Sequence, residues 1–166
     1  MVADVPVGDW RGPRHHLPTD MATDSTRRLH HTVPPWVASD AVYHIRIRTA
    51  IGSGFNLTAP DRASALLDSA RQYHLRDSWH SHLFLLMPDH IHALLCFPPE
   101  DTRTKIVGKW KAWHCRHTGI LWQDNFFDHR IRNAGEYEMK AACIRQNPVV
   151  KGLCQTAEDW PWVLEP

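Results

Sequence analysis

Two apolar runs, Leu83-Phe84-Leu85-Leu86 and Ala93-Leu94-Leu95-Cys96-Phe97, flank the hexapeptide Met87-Pro88-Asp89-His90-Ile91-His92. Runs this short and this apolar, separated by a proline-containing turn, read as buried strands. The middle of the chain is thereby committed to two adjacent strands of a covered sheet, turned at 87–89. Side chains on a strand alternate faces, so His90 and His92 point the same way, about 6.6 Å apart along the backbone. Two imidazoles side by side on one face can grip a divalent metal and leave coordination positions open. That arrangement suits chemistry on a phosphodiester. The competing reading is a polar sheet face turned to solvent. It is weakened because the pair interrupts one of the most apolar segments of the chain, where imidazoles without partners are costly to bury.

Around this hairpin the patterning gives a consistent order. Val42-Tyr43-His44-Ile45-Arg46-Ile47-Arg48-Thr49 alternates apolar and polar positions, as a half-buried strand does. Apolar residues at helical spacing (Ala63, Leu66, Leu67, Ala70) predict a helix over 60–73, with Thr58 or Asp61 near its cap. A second helix is expected over 102–117, ending at Gly119, and a strand over 126–132. A third helix over 135–146 should stop at Asn147-Pro148, because proline disfavours a helical residue before it. Trp160 and Trp162 in the tail are expected to lie on the core. Strand, helix, two strands, helix, strand, helix describes an α+β sandwich, an antiparallel sheet with helices packed on one face.

At 166 residues the chain suits one domain with a substantial core. Residues 1–38, with five prolines, scattered Arg and His and no sustained period, read as a disordered basic arm ahead of a domain over 39–166. A formal charge of +1 excludes a broadly basic chain, so a nucleic-acid surface has to be a local patch. Cys96, Cys115, Cys143 and Cys154 form no CxxC pair, which fits free thiols in the cytoplasm. No apolar run reaches the length of a membrane span, so no membrane partner is expected.

Two further groups of residues bear on chemistry. The histidine pair wants a third ligand, and the third helix offers Glu136, Glu138, Gln146 and Asn147. A neutral amide oxygen beside two imidazoles suits Mg or Mn, although spacing alone favours Asn147 as a helix-end residue chosen for turn geometry. The second helix interleaves Arg103, Lys105, Lys109, Lys111, Arg116 and His117 with Trp110 and Trp113. The tryptophans fit an inward stripe with Ile106 and Val107, which leaves the cations outward as a candidate phosphate-binding patch. Arg130 and Arg132 could extend it.

Four blocks in order carry a family resemblance: Met87 to Leu94; Trp122-Gln123-Asp124-Asn125-Phe126-Phe127-Asp128-His129-Arg130-Ile131-Arg132; Ile144-Arg145-Gln146-Asn147-Pro148-Val149-Val150-Lys151-Gly152-Leu153; and Glu158-Asp159-Trp160-Pro161-Trp162. With the Tyr43 to Arg48 strand, the chain resembles the IS200-like tyrosine transposases, in the branch of REP-associated tyrosine transposases, over roughly residues 40 to 163. The resemblance implies a ferredoxin-like HUH nuclease fold, usually dimeric, acting on single-stranded DNA that folds into hairpins. His90 and His92 then match the metal-binding HUH pair and Asn147 the polar residue completing the site. The family nucleophile is a tyrosine on the last helix, which forms a 5′-phosphotyrosine link and releases a 3′-hydroxyl.

The chain departs from the pattern at that nucleophile. The position directly before Ile144 is Cys143, and Tyr137 stands six residues earlier, about 240° round the helix and 9 Å along it. Three explanations stay open: a protein that has lost its nucleophile and keeps DNA binding, cysteine attacking instead, or a different alignment of the tyrosine, including another tyrosine that serves after a rearrangement. A thiol beside two imidazoles would favour Zn. The expected function is metal-assisted cleavage and rejoining of hairpin-containing single-stranded DNA, with Cys143 and Tyr137 as the candidate nucleophiles. The alternative is a domesticated DNA-binding protein of the same fold. A zinc hydrolase of small molecules is a third reading, and it lacks an acidic ligand near the pair beyond Asp89.

Overall fold

The computed structural model describes residues 41–98 and 103–165. The expected basic arm lies outside them, as does Thr102. The elements are β1 (Tyr43–Arg48), α1 (Pro60–Leu75), β2 (His80–Leu86), β3 (His90–Cys96), α2 (Arg103–Thr118), β4 (Phe127–Arg130), α3 (Ala134–Val150), a 3-10 turn (Ala157–Asp159) and β5 (Val163–Leu164). The strands form one antiparallel sheet in the order β4-β1-β3-β2-β5. Its first four strands have the ferredoxin-like order, and the α+β sandwich read from the sequence is the architecture found.

Strand alternation decides which side chains meet which helix. Ile45, Ile47, Phe84, Leu86, Ile91, Ala93 and Leu95 share one face and pack against Leu66 and Ala70 of α1 and Val107 and Trp110 of α2. Both helices are crossovers between parallel strands, and right-handed crossovers put them on the same side. Leu83, Leu85 and Leu94 point to the opposite face, where Ala141 and Ile144 of α3 and the indole of Trp160 cover them. The expectation of helices on one face holds for α1 and α2 and is corrected for α3, which crosses back over the sheet from β4 to β5 and so covers the other face. Trp160 Nε1 donates to the carbonyl of Leu86 at 2.9 Å, and Trp162 packs against both clusters. Each fully buried leucine contributes about 1.5–3 kcal/mol to holding these layers together.

Three local features differ from the sequence expectation. The N-cap of α1 is Ala59, without a side-chain bond; Pro60 starts the helix with its fixed φ, and Thr58 bonds to Asn56 instead. A register shift between Ser81 and Leu83 makes His82 an extra residue in β2. That bulge turns His82 towards α3, where its Nε2 lies 3.3 Å from Cys96 Sγ and its ring stands edge-on to Tyr137. Finally, α3 does not stop at Asn147 but continues through Pro148 to Val150. A proline this close to the end removes only one helical N–H, and Lys151 N to Asn147 O (3.0 Å) and Leu153 N to Pro148 O (2.8 Å) complete the last turn. Asn147 is thus an ordinary helical residue, one turn beyond Cys143.

Candidate metal centre and nucleic-acid interface

His90 and His92 lie on the α3 face of β3, buried at 7% and 8% exposure, with their Nε2 atoms 3.1 Å apart. Each outer nitrogen is engaged. Asp89 Oδ1 sits 2.6 Å from His90 Nδ1, and His44 Nε2 sits 3.0 Å from His92 Nδ1. A carboxylate only accepts, so His90 donates from Nδ1 and, when neutral, presents a lone pair at Nε2. His44 can donate to His92 or accept from it, so that bond serves either tautomer of His92. His44 stacks on His92 with ring centroids 5.2 Å apart.

Electrostatics keep these imidazoles neutral. Burial, followed by the charges of His90, His44 and two arginines, pushes His92 down to about 3. Burial, then Lys140, Arg46 and His129, takes His44 to about 4. His90 is also lowered by burial, with Asp89 opposing. Burial alone would raise Asp89, but the His90 bond and the His90 and Arg48 charges bring it below the usual carboxylate range. Neutral imidazoles are the ligating form. Two nitrogens each about 2.1 Å from a shared ion lie roughly 3 Å apart as neighbours in its shell. The pair therefore fits a divalent metal. Among the described residues no three His, Cys, Asp or Glu side chains gather as a metal site.

The expected third ligand and the candidate nucleophiles lie on α3. Ala141, Ile144 and Pro148 are its buried side, with Tyr137 partly buried beside them. At 100° per residue, Glu136, Lys140, Cys143 and Asn147 fall together on one flank. Glu136 Oε1 bonds His129 Nε2 at 2.6 Å, His129 pairs across the sheet with His44, and Lys140 depresses His44. The start of that flank, at Glu136 and Lys140, therefore faces His129 and His44. Asn147 donates from Nδ2 to the carbonyl of Cys143 at 3.2 Å, a bond within its own helix, and Cys143 is exposed. Tyr137 is not on this flank. Its ring stands 5.7 Å from His82, and burial, more than the nearby charges, raises its hydroxyl pKa.

The expected cationic patch is distributed differently. Helix α2 covers the face opposite the histidines, so Arg103, Lys105, Lys109 and Arg116 are carried on the far side of the sheet from them. Lys109 and Arg116 are exposed. Lys111 is a correction: it is 8% exposed, and its ammonium donates to the carbonyls of Gln123, Asp124 and Asn125 at 2.5, 3.0 and 3.4 Å. Arg103 pairs with Asp128 at 2.8 Å and lies 4.0 Å over the Tyr43 ring. Arg130 pairs with Tyr43 across β1 and shares that far face, whereas β4 ends before Arg132. The two arginines thus do not form one strand row.

Sequence reasoning missed the cations nearest the histidines. Arg46 pairs with His92 and Arg48 with His90 across β1 and β3, and directly opposite residues share a face. Their alternation with Ile45 and Ile47, in phase with His44, was the available signal. Arg46 lies 5.3 Å over Phe127, and with Arg48 and residues 123–127 it lines a pocket of about 380 Å³.

No family model matches the chain. It is 30% identical over 83 residues to a REP-associated tyrosine transposase of Escherichia coli, covering 48% of this chain and 50% of that protein. It is also 30% identical over 95 residues to a Haemophilus influenzae protein named for the same group, covering 46% and 53%. The chain thus spans about half the length of the curated relatives it matches. Among solved structures, it superposes on a REP-associated tyrosine transposase bound to a REP hairpin with a TM-score of 0.64 and 21% identity, covering 75% of this chain and 76% of that one. The four sequence blocks and these comparisons agree: the chain resembles the REP-associated tyrosine transposases in sequence and shares the fold of one of them.

Proposed function

We propose that this protein binds single-stranded DNA containing a hairpin and cleaves and rejoins it in the manner of a transposase. The observation that carries this reading is the facing pair of Nε2 atoms on His90 and His92, with both outer nitrogens already engaged by Asp89 and His44. Two neutral imidazoles held in that way are prepared for a divalent ion, and the family resemblance assigns Asn147, on the same flank of α3 as Glu136 and Lys140, to join them. When bound, Mg or Mn supplies Lewis acidity at a phosphate oxygen; a thiolate contribution from Cys143 would shift the preference to Zn. Arg46 and Arg48 neutralise the neighbouring phosphates. Cys143 occupies the position from which the helix attacks. Its sulfur would bond to phosphorus as the P–O3′ bond breaks, leaving a 5′-phospho-enzyme link and a proton on the 3′ oxygen.

A specific observation also supports the alternative, DNA binding without scission. The flank of α3 that carries Cys143 and Asn147 has no tyrosine, and Tyr137 is packed against His82. Equilibrium titration of a labelled hairpin with a single-stranded tail against a blunt duplex of equal length, with Mn²⁺ present, tests the shared core of both readings. Preference for the tailed hairpin, weakened in Arg46→Gln/Arg48→Gln, is expected. Equal binding of the blunt duplex would sink it. A homodimer is proposed on the resemblance alone, and sedimentation of the purified protein decides it.

A further inference from the structure

The pocket beside the histidine pair is lined by Arg46, Arg48 and residues 123–127, none of them a proposed metal ligand, although Arg48 pairs with Asp89 at 3.7 Å and Phe127 stands edge-on to His44 at 5.6 Å. Phe127, on the edge strand β4, leaves 46% of its surface exposed, an unusual position for a large aromatic ring. The Arg46 guanidinium lies 5.3 Å from its centroid. The rest of the lining is residues 123–126 of the loop leading into β4, which is tied down at several points. Ala50 N bonds Leu121 O at 2.8 Å, Gln123 N bonds Arg48 O at 2.9 Å, and the Lys111 ammonium gathers three successive carbonyls from 123–125. With the backbone carbonyls of this loop turned inward to one buried cation, the loop wall is fixed before any ligand arrives. Its volume of about 380 Å³ falls in the range of small-molecule sites, about 300–1,000 Å³. An exposed aromatic ring, two arginines and a preset polar wall match the chemistry of a nucleotide: a π-face for the base and cations for the phosphates.

We propose that this pocket holds one unpaired nucleotide next to the phosphate at the histidine pair, with its base stacked on Phe127 and its phosphates on Arg46 and Arg48. The inference rests on the single-stranded DNA reading above and adds which nucleotide contact selects and orients the strand. Because Arg46 and Arg48 are the cross-strand neighbours of His92 and His90, a base seated on Phe127 fixes which phosphate reaches the imidazoles. The pocket therefore sets the register of cleavage.

The test uses the full chain and a DNA hairpin with a single-stranded tail carrying iododeoxyuridine at each tail position in turn, followed by irradiation and peptide mass spectrometry. Cross-linking to Phe127 from one or two adjacent tail positions is expected. Phe127→Leu should lose that adduct and weaken tailed-hairpin binding about tenfold, the scale of one lost base–aromatic stack. Circular dichroism checks that this exposed edge substitution leaves the fold intact, and Arg46→Gln supplies a second variant expected to reduce cross-linking at Phe127. DNA that binds but cross-links at Trp113, or nowhere within 121–128, overturns the pocket while leaving DNA binding standing. Failure of the wild-type chain to bind the tailed hairpin overturns the nucleic-acid reading and the pocket with it.

Discussion

Replacing Lys111 with methionine separates two incompatible roles for one cation. The sequence places Lys111 among phosphate-binding residues of a surface helix, whereas the structure buries its ammonium under three carbonyls of the loop that shapes the nucleotide pocket. Methionine keeps most of the apolar stem in place and deletes the charge. Two of the three contacts, at 2.5 and 3.0 Å, are strong charge-assisted bonds, and the third at 3.4 Å is weak. Bonds to charged groups contribute about 1.5–3 kcal/mol each. Burial lowers the lysine pKa, with Asp124 opposing, so part of that gain is already spent on desolvating the ammonium. Asp124 and Asn125 are exposed, so water recovers some of the lost bonding. The net cost expected for Lys111→Met is about 2–3 kcal/mol. In a domain of this size that corresponds to a fall in Tm of roughly 6–12 °C, read by circular dichroism and checked by urea unfolding. A Tm within about 2 °C of wild type, together with a loss of DNA affinity, would refute the argument and return Lys111 to the phosphate-binding set.

Other consequences follow from the same geometry. His44 and His92, with His82 and His114, are pushed down to about 3–4 in the folded chain, burial being the leading cause for each. The unfolded chain takes up these protons near pH 6.5, so stability is complete above that value and is lost as pH falls from about 6.5 towards 4, by order 1–2 kcal/mol per histidine at pH 5; an acid transition confined below pH 4 would contradict this. His44→Ala removes the partner that holds His92 Nδ1 and should weaken Mn²⁺ binding about 10–100-fold by calorimetry, with His44→Gln losing less; unchanged affinity would show that His44 does not position His92. Arg46→Gln/Arg48→Gln should lower the salt dependence of single-strand binding by about 1.4 in log–log slope, whereas Lys109→Gln/Arg116→Gln, on the far face, should leave metal-dependent chemistry unchanged. Ile144→Ala, under the α3 face, should cost about 2–4 kcal/mol in urea unfolding.

Much of this fold is legible in the sequence because period and burial coincide. The two apolar runs became β2 and β3, the alternation from Tyr43 to Arg48 became β1, and the apolar stripes of α1 and α2 point to the core. What stayed hidden depends on relations between elements. A bulge is one unpaired residue, and nothing in His80 to Leu86 announces that His82 will turn towards Tyr137. The helix rule for proline is sound mid-helix but weaker in the last turn, which is why Pro148 misled the end of α3. The side on which the cations of α2 lie is set by crossover handedness, not by their spacing. The histidine pair was legible as a pair. Its Asp89 and His44 supports were not, because one is a turn residue and the other lies 48 positions away in sequence from His92.

The most direct measurement is a denaturing gel of labelled, tailed hairpin DNA incubated with the protein and Mn²⁺, with peptide mass spectrometry of any retained adduct. Wild type, His90→Ala and Cys143→Tyr are compared side by side. The account predicts strand scission with a DNA-linked peptide at position 143, in the wild type or after Cys143→Tyr, and its disappearance in His90→Ala. Scission that survives His90→Ala, or none from either the wild type or Cys143→Tyr although both bind the DNA, would contradict it.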